Sequence, residues 1–391
     1  MKNFIKLLSI ITLICFTTAQ SNSAETAKFL KTDWSFKGVF GKFDRGSLQR
    51  GYQVYTEVCS SCHSMKYLSY RNLGEKGGPE FSEAEVKAIA ASFEVADGPN
   101  ADGEMFVRSG KLSDKFVKPY ENIKAAEAAN GGAYPPDMSV LVKARGGGVD
   151  YIYSLLQGYE DAPSGMTLDE GVHYNKYMYG NKIKMASPLS EGIVEYGDGT
   201  KATVEQMSKD VTTFLMWAAE PHLESRHQMG FKAIIYLIIL TICQVFSFTA
   251  PPITVFISGI VGLKISPIAS LATLPTSLSI VGTAVFSFFA AKIMSKIGRK
   301  KGFILSSTYS SLASLLGAYS IYTENFILFC LSCFLIGTGI AFTHQYRFAA
   351  AETVEKNDSS RAISILLLAT ILPNIFNSSW LRTMMKNLFV D

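Results

Sequence analysis

The sequence predicts a mainly α-helical chain, an exported polar globule followed by a helical transmembrane region. Three observations lead to that class. Residues 1–24 carry a positive, apolar, small-residue pattern. Charge is divided unevenly: residues 25–228 hold 28 acidic and 23 basic groups, net −5, whereas residues 229–391 hold 5 acidic and 12 basic groups, net +7. Beyond the amino terminus, long apolar runs are confined to the second part. Over all 391 residues the charged fraction is only 18%, and the net charge of +4 averages two unlike halves. That total is therefore no sign of a nucleic-acid partner, and none is expected.

The amino terminus reads as a signal peptide, residues 1–24. Lys2 and Lys6 flank the start of an apolar run from Leu7 to Phe16, and Thr17, Thr18, Ala19, Ser23 and Ala24 supply small residues after it. The run is too short to span a bilayer. Cleavage after Ala24 would place Asn22, a poor residue, three back from the scissile bond, so Ala19 is an alternative. Either site puts residues 25–228 in the periplasm and residues 229–391 in the inner membrane of a bacterial cell.

Of the six cysteines, Cys15 falls in the signal and Cys243, Cys330 and Cys333 fall in apolar segments. Only Cys59 and Cys62 belong to the globule, in the run Cys59-Ser60-Ser61-Cys62-His63. A zinc site would need further ligands at suitable spacing, and the globule has no other cysteine. CxxC followed directly by His is the attachment signature of a c-type haem. Two thiols three positions apart reach the two vinyl groups as thioethers, and the adjacent imidazole faces the iron. His63 is therefore the proximal-ligand candidate, with one covalent haem c per chain.

The sixth ligand is less determined by spacing. His173, His222 and His227 are the other imidazoles of the globule, and methionines are numerous. Met207 and Met216 fit a helix face and suit a core. Met185-Ala186-Ser187-Pro188-Leu189 offers an irregular backbone stiffened by Pro188. A thioether ligand raises the haem potential and suits an electron carrier.

The coarse elements agree with a c-type haem globule. Ser47 to Val58 is expected as a helix entering the haem box, with Gly51 permitting a close approach. Thr203-Val204-Glu205-Gln206 reads as a capping box, and the helix it starts stops at Pro221. Val204, Met207, Val211 and Leu215 form its apolar face. Gly146-Gly147-Gly148 reads as a flexible loop without a phosphate-cradling pattern.

Longer stretches carry a resemblance. They include Trp34-Ser35-Phe36, Gln49-Arg50-Gly51-Tyr52-Gln53-Val54-Tyr55, Tyr70-Arg71-Asn72-Leu73 and Asp97-Gly98-Pro99-Asn100. They continue with Gly110-Lys111-Leu112-Ser113-Asp114, Ala128-Ala129-Asn130-Gly131-Gly132-Ala133, Pro135-Pro136-Asp137, Ala144-Arg145, Met185-Ala186 and Ala218-Ala219-Glu220-Pro221. Over about residues 30–240 the chain resembles the cytochrome c1 family, the haem subunit of the cytochrome bc1 (ubiquinol–cytochrome c reductase) complex.

That resemblance implies roles. Cys59 and Cys62 match the thioether pair, His63 the proximal ligand and Met185 the distal ligand. Arg145 matches an arginine beside a haem propionate, and Tyr151 and Asn130 match residues lining the pocket. It also implies cytochrome b and a Rieske iron–sulfur protein as partners in the complex, and soluble cytochrome c as electron acceptor. The chain would act as a non-autonomous subunit of that oxidoreductase and do no bond chemistry itself. The globule's net −5 suits a basic acceptor.

The family pattern ends in one transmembrane helix, but here apolar segments continue at roughly 267–291, 303–322, 326–346 and 362–380. From about residue 240 the chain is similar to a truncated major facilitator superfamily transporter. Lys292-Ile293-Met294-Ser295-Lys296-Ile297-Gly298-Arg299-Lys300-Lys301 resembles that family's loop between helices two and three, with Ala291 and Ser295 departing from it. Gln345-Tyr346-Arg347-Phe348-Ala349-Ala350-Ala351-Glu352 resembles the end of its helix four. With about four and a half helices, autonomous transport is not expected. The uncharged stretch between Lys232 and Lys264 is long for one upright span and short for two, and Pro251-Pro252 interrupts it. The globule and the basic segment 292–301 ask for opposite starting sides, so heterogeneous insertion of the tail is expected.

Overall fold

The computed structural model describes residues 28–371 apart from residue 369. The signal peptide and the end of the last apolar segment lie outside these residues. The chain divides into two compact units, Met1–His227 and Gln228–Asp391.

The first unit is organised around two helices, α1 (Arg45–Val54) and a later helix, Val204–Ala219. Asp44 caps α1 by accepting from the Ser47 amide at 2.7 Å. The helix thus starts two residues before the expected Ser47 and does not run regularly to Val58. After Val54 it widens into a π-helical turn, Tyr55–Cys59, closed by the Ser60 amide on the Tyr55 carbonyl at 2.8 Å. The first cysteine is therefore the last residue of a wound turn.

Helix α2 (Glu83–Ala91) carries a capping box between Ser82 and Glu85. It leads into a hairpin of β1 (Glu94–Asp97) and β2 (Phe106–Ser109), in which Glu94 pairs with Ser109 and Asp97 with Phe106. A short α3 (Ile123–Ala129) follows, then α4 (Gly148–Leu156). The Gly146–Gly148 segment is in fact the entry to α4. Gly147 has φ +86°, and the Phe29 ring occupies the space a side chain would need. A second, two-residue hairpin pairs β3 (His173–Tyr174) with β4 (Lys182–Ile183).

Helix α5 (Val204–Ala219) crosses α1. The crossing is close because a Cβ at Gly51 would run into the Asp210 carbonyl, so only glycine fits. Thr203 caps α5 through the Gln206 amide at 3.1 Å. The Gln206 side chain turns away to Asp210 at 3.0 Å, so the capping residue is as expected while Gln206 serves α5's own buried charge. Met207, Val211 and Leu215 are buried as the apolar face requires, beside Phe214 and Trp217. Each such side chain removed from water contributes on the order of 2 kcal/mol. Asp210, wholly buried, accepts from Ser47 Oγ at 2.6 Å and from Arg50 Nε at 2.8 Å. Burial works against the Arg50 charge, but Asp210 and Asp198 outweigh it and hold its pKa above the usual value.

A long helix, α6 (Leu223–Ile265), begins in the first unit. Glu224 accepts from the Phe43 amide at 2.8 Å and from both terminal nitrogens of Arg45, and His227 Nδ1 lies 3.0 Å from the Gly41 carbonyl. The apolar stretch after Lys232 is one continuous helix. Pro251 and Pro252 sit inside it rather than ending it. Each removes an intrahelical amide, which long helices among other helices tolerate.

The second unit continues with α7 (Leu274–Ile297), α8 (Arg299–Tyr322), α9 (Phe326–Thr343), a one-turn α10 (Tyr346–Ala351) and α11 (Ser359–Leu368). The basic segment expected as a loop is mostly helical, and only Gly298 at φ +83° separates α7 from α8. Helices α7 and α9 meet at backbone distance: side chains at Gly282 or Gly337 would strike the carbonyls of Phe334 or Ser279. Thr283 Oγ1 donates to the Gly337 carbonyl at 2.9 Å. Among the described residues three helical stretches are long and apolar enough to cross a membrane, Leu223–Ile265, Ala269–Ile297 and Phe326–Ala351. The expected span at 303–322 is helical but is not one of them, because serines and threonines dilute its hydropathy.

Candidate functional site

The site is built on the turn that follows α1. The Cys62 and His63 amides both point to the Cys59 carbonyl, at 3.1 and 2.9 Å, so the motif is a wound turn rather than an extended strand. Cys59 is buried and Cys62 half-buried, and both are free thiols. Burial first, and the neighbouring Cys62 second, push the Cys59 thiol up to about 12.

His63 is buried, with its Nδ1 2.9 Å from the Pro136 carbonyl oxygen. A carbonyl only accepts, so Nδ1 carries the proton and Nε2 keeps its lone pair. Burial pulls the His63 pKa below its ordinary value, against the opposing effects of Pro136 and Asp137, which favours the neutral ring. Asp137 fixes the Pro136 turn against the motif: it accepts from Ser64 Oγ at 2.8 Å, the Lys66 amide at 2.9 Å and the Ser139 amide at 3.0 Å. Neither role was assigned from sequence. Prolines 135 and 136 lack amide protons and hold φ near −65°, so that segment cannot join a helix or ladder and its carbonyls face other partners; the Pro-Pro-Asp run is the signal that marks it.

Asn130 joins the motif through a residue that sequence reasoning missed. Its Nδ2 lies 3.1 Å from Tyr120 Oη, and that hydroxyl lies 3.9 Å from Cys62 Sγ. Asn130 also ends α3, bonding back to the Ala126 carbonyl at 2.7 Å.

Met185 is half-buried, and hydrogen bonds reach its carbonyl and the side chain of its neighbour Lys184. Tyr159 Oη donates to the Met185 carbonyl at 3.1 Å, and Lys184 Nζ donates to the Gly131 carbonyl at 2.9 Å. The second bond brings the Met185 segment to the glycine turn beside Asn130. Tyr151, on α4, donates to Met178 Sδ at 3.3 Å and meets Phe29 edge to face at 5.5 Å between ring centres. Burial raises the Tyr151 pKa, with the Arg145 charge working against it. Arg145 is exposed, just before α4, with its guanidinium on the Ala144 carbonyl at 3.3 Å. The structure thus links Cys62 to Asn130 and Asn130's turn to Met185, and places Arg145 and Tyr151 together at the start of α4.

The donor set fits a covalently held haem: two free thiols and, directly after them, an imidazole whose Nδ1 is committed to the Pro136 carbonyl, which leaves Nε2 its lone pair. A cleft of about 460 Å³ beside α1, walled by Arg50, Tyr52, Phe81 and Phe93, contains none of the expected site residues. Among the described residues no group of three or more His, Cys, Asp and Glu side chains forms a metal-binding cluster.

The cytochrome C1 family model matches residues 34–250. The chain is 52% identical over 225 residues to a cytochrome b/c1 of Bradyrhizobium diazoefficiens, covering 53% of this chain and 33% of that one. It is 53% identical over 204 residues to cytochrome c1-2 of Solanum tuberosum, a mitochondrial haem protein, covering 52% of this chain and 77% of that one. It is 46% identical over 227 residues to cytochrome c1 of Rhodospirillum rubrum, covering 54% and 82%. The chain therefore spans about a third of the Bradyrhizobium relative and most of the other two. With its motif turn, its family match and these relatives, the chain belongs to the cytochrome c1 family, whose members hold haem c covalently.

Proposed function

We propose that this chain is the electron-transfer subunit of a ubiquinol–cytochrome c reductase. It would pass single electrons from a Rieske iron–sulfur protein to a soluble cytochrome c, in a complex with cytochrome b. The observation that carries the reading is the His63 Nδ1–Pro136 contact beside two free thiols, in a chain of this family. Cys59 and Cys62 would hold the haem as thioethers, His63 Nε2 and Met185 Sδ would bind its iron, and Arg145 would pair with a propionate. Tyr151 and Asn130 would line the pocket. When bound, the haem supplies a reversible one-electron couple. The protein's part is to bind, orient and tune: a neutral imidazole, a thioether that favours the reduced state, and the buried Tyr55, whose hydroxyl donates to the His63 carbonyl at 3.1 Å. No bond to a substrate is made or broken by this chain.

The globule would lie in the periplasm of a bacterial cell, with the helical unit in the inner membrane. The amino-terminal pattern and the apolar α6 support that placement. The later helices would serve as a membrane tail, whether or not their transporter-like pattern reflects a decayed fusion.

Two measurements test this. Purification from membranes should bring cytochrome b and a Rieske protein with the haem-stained chain; a chain purified alone and without haem would end the reading. Met185→Leu should keep the covalent haem, since Cys59, Cys62 and His63 are untouched, but lower its potential. A variant with the parent's potential and spectrum would remove Met185 as a ligand.

A further inference from the structure

The segment carrying Met185 follows directly on the paired strand β4. Lys184 is exposed, and a bond from an exposed ammonium holds a backbone only weakly. Met185 itself is held by the phenol of Tyr159, 26 residues earlier in the chain, on its carbonyl. Tyr159 is itself held in place. It forms an isolated antiparallel bridge with Asn175, and the Lys176 amide donates to the Gly158 carbonyl at 3.0 Å. Asn175 is wholly buried, donating from Nδ2 to the Leu155 carbonyl at 2.8 Å and accepting from the Tyr177 amide at 3.0 Å. Gly158 has no room for a side chain, since a Cβ would lie 2.6 Å from Asn175 Oδ1 and 2.7 Å from the Tyr177 ring. The end of α4, the β3–β4 hairpin and the Met185 loop thus meet at one staple, with Tyr159 as its outward arm.

We propose that Tyr159 is the positioning residue for the Met185 thioether: its phenol fixes the Met185 peptide and so the direction in which the sulfur is presented. This rests on the reading of Met185 as an axial ligand. A ligand on a short irregular loop can leave and rebind as the loop fluctuates. A hydrogen bond to its own carbonyl restrains the torsions nearest the side chain. Removing the phenol also strands a half-buried acceptor, which favours loop conformations open to water.

The test compares Tyr159→Phe and Met185→Leu with the parent, each as the full haem-bearing chain. Tyr159→Phe should keep covalent haem and overall folding. It should weaken the thioether-to-ferric-iron charge-transfer band and speed carbon monoxide binding to the ferrous protein roughly tenfold, the change that one lost hydrogen bond of about 1.4 kcal/mol gives. Met185→Leu should lose the band completely. If Met185→Leu loses the band while Tyr159→Phe matches the parent within about twofold, the positioning role is wrong and the ligand reading stands. If Met185→Leu keeps the band, the ligand reading fails and this inference falls with it. Should Tyr159→Phe not accumulate, Tyr159→Leu supplies a second bulky side chain without a donor for the same comparison.

Discussion

The imidazole of His63 and the carbonyl of Pro136, 73 residues apart in the chain, lie 2.9 Å from each other. This contact decides which ring nitrogen carries the proton. It leaves Nε2 as the free donor atom and fixes the ring plane before any metal is bound. Within the motif turn the Cys59 carbonyl is already taken by the Cys62 and His63 amides. A separate segment is brought to the imidazole, and Asp137 is the anchor of that segment.

Asp137→Ala should destabilise the globule by about 2 kcal/mol, because the amides of Lys66 and Ser139 and the Ser64 hydroxyl lose their acceptor. Denaturant unfolding of the haem-bearing chain measures the loss, and the haem's optical spectrum should broaden as His63 loses its fixed plane. Stability within about 0.5 kcal/mol of the parent would show that the Pro136 turn holds without this carboxylate.

Asp150 makes stability depend on pH. It accepts from Trp34 Nε1 at 2.7 Å, Lys31 Nζ at 2.7 Å and Lys37 Nζ at 3.3 Å. Burial pushes its pKa up, but these three donors outweigh burial and hold it below the ordinary carboxylate value. A depressed folded pKa gives stability that is present above the unfolded value of about 3.9 and is lost as pH falls through the folded value. Both lysines are largely exposed, so solvent screens them. Asp150→Asn should cost about 1–2 kcal/mol near neutral pH, and the gap from the parent should close at an acid pH below the folded value. Paired unfolding curves at the two pH values check this; an equal gap at both would show that the charge contributes nothing.

Gly337→Val should disrupt the membrane unit and spare the globule. Its side chain would meet the Ser279 carbonyl of α7 and force α7 and α9 apart, at a cost of about 1–3 kcal/mol or more. Limited proteolysis of membranes should release fragments from the tail while the haem-stained globule keeps its size and spectrum. Parent-like resistance in the tail would mean that α7 and α9 are not closely packed in the membrane.

The sequence alone determined the parts whose information is local. Cys59, Cys62 and His63 needed only their spacing, and the apolar stretch after Lys232 needed only its composition. The buried face of Met207, Val211 and Leu215 followed from helical periodicity, and the close approach at Gly51 from the lack of a side chain. Spacing left Met185 as one candidate among several, and only the family resemblance singled it out. What the tertiary structure decided is what residues distant in sequence do to one another. It assigned the proton of His63 through Pro136, placed Tyr120 between Asn130 and Cys62, and tied Met185 to Tyr159. It also carried α6 through Pro251 and Pro252 and reduced the expected 292–301 loop to a break at Gly298. The physical reason is that a helix or a haem box depends on neighbours within a few residues, while a hydrogen bond between separated segments depends on where the whole backbone returns.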